Sequence, residues 1–179
     1  MMKKNNYTIL LFFGLSVLFF SCEEDRPENI EKLGLMTAKK NKELWEPQIA
    51  EAYYTKKEGY IAVAGEIYDD TGTLRERLIF DYVPFEPGKY TLPTLNDDFR
   101  AGYTTLHGDV MEDRFIVLNE EENYFEITTI DLENMEIGGQ FKITFIRNPD
   151  DTVTNPNLPD TIRFAEGDFL VRFHEQSEE

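Results

Sequence analysis

The feature that most constrains the fold is an alternation of apolar and polar residues with a period of two. Residues 60–68 read Tyr-Ile-Ala-Val-Ala-Gly-Glu-Ile-Tyr, and residues 137–146 alternate in the same way. This periodicity predicts strands, because successive side chains of a strand point to opposite faces. No long segment after residue 35 has apolar residues at helical spacing. The sequence therefore predicts an all-β domain over residues 35–175, either a single antiparallel β-sandwich or a small barrel of about nine strands.

Turn signals divide the alternating segments. Asn41-Lys42 is expected to join a first hairpin, Asp69-Asp70-Thr71-Gly72 to follow the strand of residues 60–68, and Pro87-Gly88 to open a short strand. Asp131–Asn134 separates two later strands. Residues 93–113 have a weaker pattern, with one strand expected near Tyr103.

One heptapeptide pattern occurs twice near the C-terminus. Residues 139–145 and residues 167–173 both read Gly-x-Phe-x-[Ile/Val]-x-Phe. The spacing places three apolar side chains on one face of a strand. We expect a pair of core strands that flank the loop Asn148–Pro159.

The N-terminus has the parts of a secretory signal peptide. Lys3 and Lys4 form a short basic segment, and the apolar run Ile9–Phe20 follows. A bilayer-spanning helix needs about 20 residues, so the run predicts a cleaved signal peptide over residues 1–21.

Phe19-Phe20-Ser21-Cys22 resembles the lipobox of bacterial lipoproteins. Phe stands where Leu and a small residue are commonest, but Ser21-Cys22 fits. Cys22 is the single cysteine of the chain, so it has no partner for an internal disulfide. The resemblance implies that Cys22 is lipidated, which attaches the protein to the membrane.

Residues 22–34 then read as the lipidated cysteine and an acidic tether. Glu23-Glu24-Asp25 is similar to the export signal of Bacteroidetes-type lipoproteins, which implies an outer-membrane location with the domain on the cell surface or, otherwise, at the periplasmic face. Residues 176–179 read as a disordered tail.

Several structural elements together resemble a family of small, mostly uncharacterised β-rich Bacteroidetes lipoproteins. These elements are a strand pair around Trp45, the segment Pro87-Gly88-Lys89-Tyr90-Thr91-Leu92, and the closing Gly-x-Phe strands. The resemblance covers most of the chain after the signal peptide. It implies the fold and the anchor, and it transfers no catalytic residue.

The charge of the chain excludes one class of partner. The chain has 18 basic and 35 acidic residues, and the signal peptide removes two lysines, so the mature chain carries a formal charge of −19. Such a field repels phosphate backbones, and we expect no binding to nucleic acid.

Candidates for catalysis are few. The serines are Ser16, Ser21 and Ser177, of which two leave with the signal peptide. With Cys22 lipidated, neither a serine nor a cysteine nucleophile is available. His107 and His174 lack the spacing of a zinc site. We therefore expect a protein that is not an enzyme and has no cofactor besides its lipid.

A mixed site of histidine and carboxylate ligands stays open, but the acidic loops make calcium the stronger candidate metal. Asp69–Gly72, Asn96-Asp97-Asp98 and the loop of residues 148–160 offer oxygen ligands. The last loop is the strongest candidate, through its side chains Asp150, Asp151, Asn155 and Asp160. Turn chemistry explains the same residues equally well.

Three functions remain open. The first is a surface binding module or an envelope-assembly module whose partner is a protein or a glycan. The second is a lipocalin-like or glycan-binding domain, for which six aromatic residues could offer flat faces to sugars, namely Trp45, Tyr53, Tyr54, Tyr60, Tyr68 and Tyr103. The third is a glycoside hydrolase that uses two carboxylates such as Glu66, Asp81 or Glu126.

Overall fold

A computed structural model of the protein describes residues 34–92 and 100–176, and this part of the chain contains strands and no helix. Accordingly, it offers no helix with the length and hydropathy to cross a membrane. The eleven strands are β1 Gly34–Lys40, β2 Glu43–Trp45, β3 Ile49–Thr55, β4 Tyr60–Tyr68, β5 Leu74–Pro84, β6 Gly88–Leu92, β7 Arg100–His107, β8 Val110–Val117, β9 Asn123–Asp131, β10 Glu136–Arg147 and β11 Thr161–Glu175.

The all-β prediction is confirmed, whereas the count of about nine strands was wrong. The segment after the Asn41-Lys42 turn is divided into two strands, β2 and β3, because Pro47 lies between them and Pro cannot donate to a strand ladder. The weakly patterned segment before Phe115 contains the hairpin β7–β8, which turns at Gly108 with a φ of 62°.

All eleven strands belong to one sheet in the order β2-β1-β11-β3-β4-β5-β7-β8-β10-β9-β6. An additional pairing joins β10 to β11, so seven strands close into a ring. Every pairing is antiparallel except β11 with β3, where Phe173–Glu175 run parallel to Ala52–Tyr54. The hairpin β1–β2 and the pair β9–β6 extend from this ring.

Aromatic side chains fill the interior of the closed sheet. The Phe80 ring lies 4.5 Å from the Phe125 ring and 5.1 Å from the Phe141 ring, and Phe125 stacks on Phe169 at 4.9 Å between centroids. All four are buried. Burial of each such ring contributes about 2–3 kcal/mol through the hydrophobic effect.

The two Gly-x-Phe segments are confirmed as neighbouring core strands, and their glycines have a packing role. Phe141 lies opposite Gly167, and Phe169 lies opposite Gly139. A methyl group added to Gly167 would lie 2.6 Å from two carbons of the Phe141 ring. Each ring therefore occupies the space over the glycine of the other strand.

A buried ion pair fixes the loop between these strands. Arg147 donates from Nη1 to Asp113, and both side chains are buried. The Asp113 carboxylate also accepts the backbone N–H groups of Thr154 and Asn155 at 3.0 and 3.1 Å. Arg147 Nη2 donates to the carbonyl of Leu158 at 2.9 Å. The loop is therefore attached to β8 and β10 through charged hydrogen bonds.

Candidate functional site

A groove on the outer face of β3, β4 and β5 is the strongest candidate site. Ala52, Ile61 and Val63 point into the core, so strand alternation turns Tyr53, Thr55, Tyr60 and Ala62 outward. Tyr53 lies opposite Ala62, and Thr55 lies opposite Tyr60. The small side chain of Ala62 leaves a depression between the larger ones.

We call this depression the tyrosine groove. It has a volume of about 320 Å³, at the small end of the ~300–1,000 Å³ range of small-molecule sites. The residues that line it are Tyr53, Thr55, Glu58, Tyr60, Ile61, Ala62, Asp81, Tyr82 and Gln176.

A bulge in β5 turns one of these residues, Tyr82, to the surface. Ile61 pairs with Val83 and Val63 pairs with Phe80, so β5 has one more residue than β4 over this stretch. Tyr82 takes a φ of 56°, a conformation that costs a non-glycine residue about 1–2 kcal/mol. Phe80 and Val83 are both buried, and Tyr82 is 39% exposed. The bulge thus redirects a tyrosine from the core to the groove, as bulges near binding sites commonly do.

Two tyrosines of the groove stand nearly perpendicular to each other. The Tyr60 and Tyr82 rings lie 6.0 Å apart with an angle of 68° between their planes. The Arg100 guanidinium lies 5.8 Å from the centroid of the Tyr82 ring. The resulting cation–π interaction stabilises the position of this ring from one side. The remaining ring surfaces form an angled aromatic wall.

Polar groups of the groove are fixed by the backbone around them. Asp81 Oδ1 accepts the N–H of Tyr82 at 3.0 Å. Gln176 donates its N–H to the carbonyl of Tyr54 at 3.0 Å, and its Oε1 accepts a hydrogen bond from the Thr55 hydroxyl at 3.3 Å. The groove therefore combines flat apolar faces with preorganised carboxylate and amide groups, which is typical of a small-molecule site.

Tyr53 remains a hydroxyl donor at physiological pH. Burial, followed by hydrogen bonding to Glu51 and the negative charges of Glu51 and Glu66, raises the pKa of Tyr53 to about 12. Its ring lies 6.1 Å from the ring of His174. The groove thus has a neutral phenol beside the carboxylates.

Beyond the groove, Glu66 belongs to a separate polar cluster on the same face. Its Oε1 accepts from Arg77 Nε at 2.6 Å, and its Oε2 accepts from the Tyr68 hydroxyl at 2.5 Å. Burial, and then the hydrogen bond to Glu66, raises the pKa of Tyr68. Glu66 is therefore committed to its neighbours.

The carboxylates predicted for a hydrolase lie apart. Glu66 pairs with Arg77, and Asp81 lies four residues further along β5, about 13 Å at 3.3 Å a residue. Glu126 lies on β9 between Lys89 and Gln140. A glycosidase pair needs a separation of about 5–10 Å. Of the three, Asp81 alone lines the tyrosine groove.

The aromatic residues predicted for a glycan platform separate into two groups. Tyr53 and Tyr60 line the groove, and Tyr68 lies on the same face. Trp45 and Tyr103 are buried in the core. Tyr54 is also directed into the core, stacked on Phe85 at 4.0 Å between centroids.

The predicted calcium ligands lie in the loop that the Arg147–Asp113 pair fixes. Asp151 accepts from Arg114 Nε at 2.9 Å and Nη2 at 3.1 Å, and these hydrogen bonds lower its pKa. Asp160 accepts from Arg147 at 3.2 Å. Asn155 Oδ1 accepts the N–H of Asn157, and Asp150 is exposed. Two of the predicted carboxylates are therefore paired with arginines.

Within the described residues, no group of three or more His, Cys, Asp or Glu side chains could hold a metal ion. Asp69, from a second predicted loop, accepts hydrogen bonds from Thr71, Thr73 and Arg75. Asn96-Asp97-Asp98 lies outside the described residues. The calcium site stays a prediction.

Some predictions concern residues outside the described part of the chain. They are the signal peptide of residues 1–21, the lipidated Cys22, the tether up to residue 33, and the tail from residue 177. Gln176, which the sequence assigned to that tail, forms hydrogen bonds in the tyrosine groove.

Sequence reasoning missed Tyr82 and Gln176 as groove residues. Alternation along β5 predicts Tyr82 on the same face as Phe80, and the bulge reverses this. Gln176 reaches the groove because β11 pairs with β3 in parallel, a pairing that no local pattern indicates.

Comparisons with protein families, with curated proteins and with solved structures found no significant match. The resemblance to Bacteroidetes lipoproteins stays a prediction.

Proposed function

We propose that the protein is a lipid-anchored, non-enzymatic binding module of the outer membrane, displayed on the cell surface, which holds a saccharide in the tyrosine groove. The observation that carries the ligand class is the angled pair Tyr60 and Tyr82 beside Asp81. The C–H face of a sugar ring packs on an aromatic face, while its hydroxyls donate to carboxylates and amide oxygens.

Features of the sequence support the proposed location at the outer membrane. The basic and apolar leader, the Ser21-Cys22 pair and the acidic residues after it support an anchored precursor. The resemblance to small Bacteroidetes lipoproteins supports the same location. The lack of available serine and cysteine nucleophiles supports binding over acyl-transfer catalysis.

A surface site fits the packing better than an interior one. The rings of Phe80, Phe125, Phe141 and Phe169 occupy the middle of the closed sheet. A lipocalin-like carrier keeps this space for its ligand. The tyrosine groove is on the outer face and needs no change in the core.

The test is binding of neutral oligosaccharides to the purified protein, first on a glycan array and then by calorimetry with the best array ligand. Tyr60→Ala and Tyr82→Ala should each weaken binding, since truncation of a central aromatic anchor costs about 2 kcal/mol, or about thirtyfold in Kd. Tyr124→Ala is the matched control, because Tyr124 is half-buried on β9 and outside the groove.

Tyr53→Phe separates stacking from hydrogen bonding. This variant keeps the ring and removes the hydroxyl, whose pKa is raised to about 12. A loss of about fivefold is expected for one neutral hydrogen bond. The proposal fails if no array glycan binds, or if the Tyr60→Ala and Tyr124→Ala variants bind alike.

A second function, assembly with an envelope protein, is favoured by an exposed strand edge. Among the strands that the structure describes, β6 pairs with β9 alone and forms one end of the strand order. Unpaired N–H and C=O groups on such an edge can add a strand from another chain. Cross-linking in intact cells from a cysteine placed at Lys89, which is exposed on β6, tests this function.

A further inference from the structure

A second groove has the opposite charge to the rest of the protein. It lies between the β1–β2 turn and the first half of β11 and has a volume of about 640 Å³. We call it the basic groove. Its lining residues are Lys39, Asn41, Lys42, Pro159, Thr161, Arg163, Ala165 and Glu166. Three of these are cationic and one is anionic, in a chain with 35 acidic and 18 basic residues.

The turn of this groove is fixed onto β11. Asn41 donates its N–H to the carbonyl of Arg163 at 2.8 Å, and Asn41 Oδ1 accepts the N–H of Arg163 at 2.9 Å. Asn41 and Lys42 have φ values of 51° and 78°. Two successive residues with positive φ suit the two-residue turn of a hairpin, but a lysine there is uncommon. The turn therefore presents Lys42 from a fixed backbone.

The cations of the groove are available to a ligand. Lys39 contacts Glu166 at 2.5 Å, and Arg163 contacts Glu121 at 3.1 Å, with all four side chains more than a third exposed. Exposed ion pairs are weak, so an incoming anion can replace these acids. Lys42 has no ion-pair partner among the residues that the structure describes.

The groove also offers apolar surface. Pro159 and Ala165 lie beside the cations, and the alkyl stems of lysines add to such a surface. A simple inorganic ion would use the charges alone. A molecule with an apolar face and an anionic group would use both.

We propose that the basic groove binds an organic anion, namely a carboxylate-bearing saccharide such as a uronate. Arg163 binds the carboxylate through its planar guanidinium, Lys42 adds a second charged hydrogen bond, and Pro159 and Ala165 contact the sugar ring. This site is separate from the tyrosine groove and does not depend on it.

The experiment is a calorimetric titration of the purified full chain with tetragalacturonate, which measures Kd at low and at physiological salt. Lys42→Gln and Arg163→Gln should each weaken binding about tenfold, as expected when one charge-assisted hydrogen bond is lost. Lys142→Gln is the matched control, because it changes the net charge equally at an exposed site on β10. Tyr60→Ala should leave uronate binding unchanged, which separates this site from the tyrosine groove.

Two further probes distinguish the sources of the anion. Neutral tetragalactose should bind at least tenfold more weakly, since it lacks the carboxylates, and inorganic sulfate should compete only at high concentration. The proposal is overturned if tetragalacturonate does not bind, if Lys42→Gln and Arg163→Gln bind like Lys142→Gln, or if sulfate alone binds.

Discussion

Substitution of Gly167 tests the reciprocal packing of the two Gly-x-Phe strands. Alanine normally stabilises a strand relative to glycine by about 0.4–1 kcal/mol, because the unfolded chain loses freedom. Here the added methyl group would lie 2.6 Å from the Phe141 ring, which is buried and cannot move freely. Overpacking of this kind costs about 1–3 kcal/mol.

We therefore expect Gly167→Ala to lower the free energy of unfolding by about 2 kcal/mol. For a domain of this size, that change lowers Tm by roughly 4–8 °C. Urea denaturation measures the free energy, and an unchanged m-value shows that the unfolded state is unaffected.

Gly102→Ala is the matched control. Gly102 lies within β7, and a methyl group there would meet nothing closer than Ile79 Cγ2 at 3.7 Å. This variant should be neutral or more stable by about 0.5 kcal/mol.

A double mutant identifies the ring as the cause. Phe141→Leu alone should destabilise the protein, because it removes buried apolar volume. Combined with Gly167→Ala, it makes room for the methyl group, so the combined cost should be about 1 kcal/mol below the sum. Additive costs, or a Gly167→Ala variant as stable as Gly102→Ala, would refute the reasoning.

The other predictions concern charge and anchoring. Asp113→Ala should lower the free energy of unfolding by about 3–5 kcal/mol, because it leaves Arg147 charged and buried. Asp160 is the exposed partner of the same arginine, so Asp160→Ala should lower it by less than about 1 kcal/mol. Urea denaturation compares the two variants. Hydrogen bonds, of which the one from the Thr71 hydroxyl has the largest effect, hold the pKa of Asp69 well below its usual value. Asp69 therefore stabilises the fold at pH values above its unfolded-state pKa of about 3.9. This contribution is lost as the pH falls toward the folded-state pKa. Asp69→Asn should therefore flatten the acid side of the stability–pH curve measured between pH 6 and pH 3, and equal slopes for parent and variant would contradict this. Cys22→Ala should move the protein from the membrane fraction to the soluble fraction and abolish labelling by an alkynyl fatty acid; unchanged fractionation would remove the basis of the proposed location.

Elements with a local pattern could be predicted from the sequence. The strand of residues 60–68 matches β4, and the Asn41-Lys42 turn joins β1 to β2. The β7–β8 hairpin could not be predicted, because buried Thr105 and Asp113 interrupt its alternation. Asp113 is explained by Arg147, a partner distant in sequence, whereas Thr105 accepts the N–H of Asp113 across the hairpin.

The candidate site could be predicted only where its residues lie on strands with regular alternation. Tyr53, Tyr60 and Asp81 are outward residues of ordinary strands, so alternation identifies them. Tyr82 needs the bulge, and Gln176 needs the parallel contact of the last strand with β3. Both depend on non-local pairing, which leaves no signal in a local sequence window.

The position of β11 has a consequence for how the protein folds during synthesis. β11 is the last of the described strands, yet it pairs with β1, β3 and β10, and Gly34 of β1 lies opposite its Val171. Contacts this distant in sequence form slowly, because a long loop must close before they are gained. The sheet therefore cannot close before β11 has been synthesised, and the strands that precede it remain an incomplete fold until then.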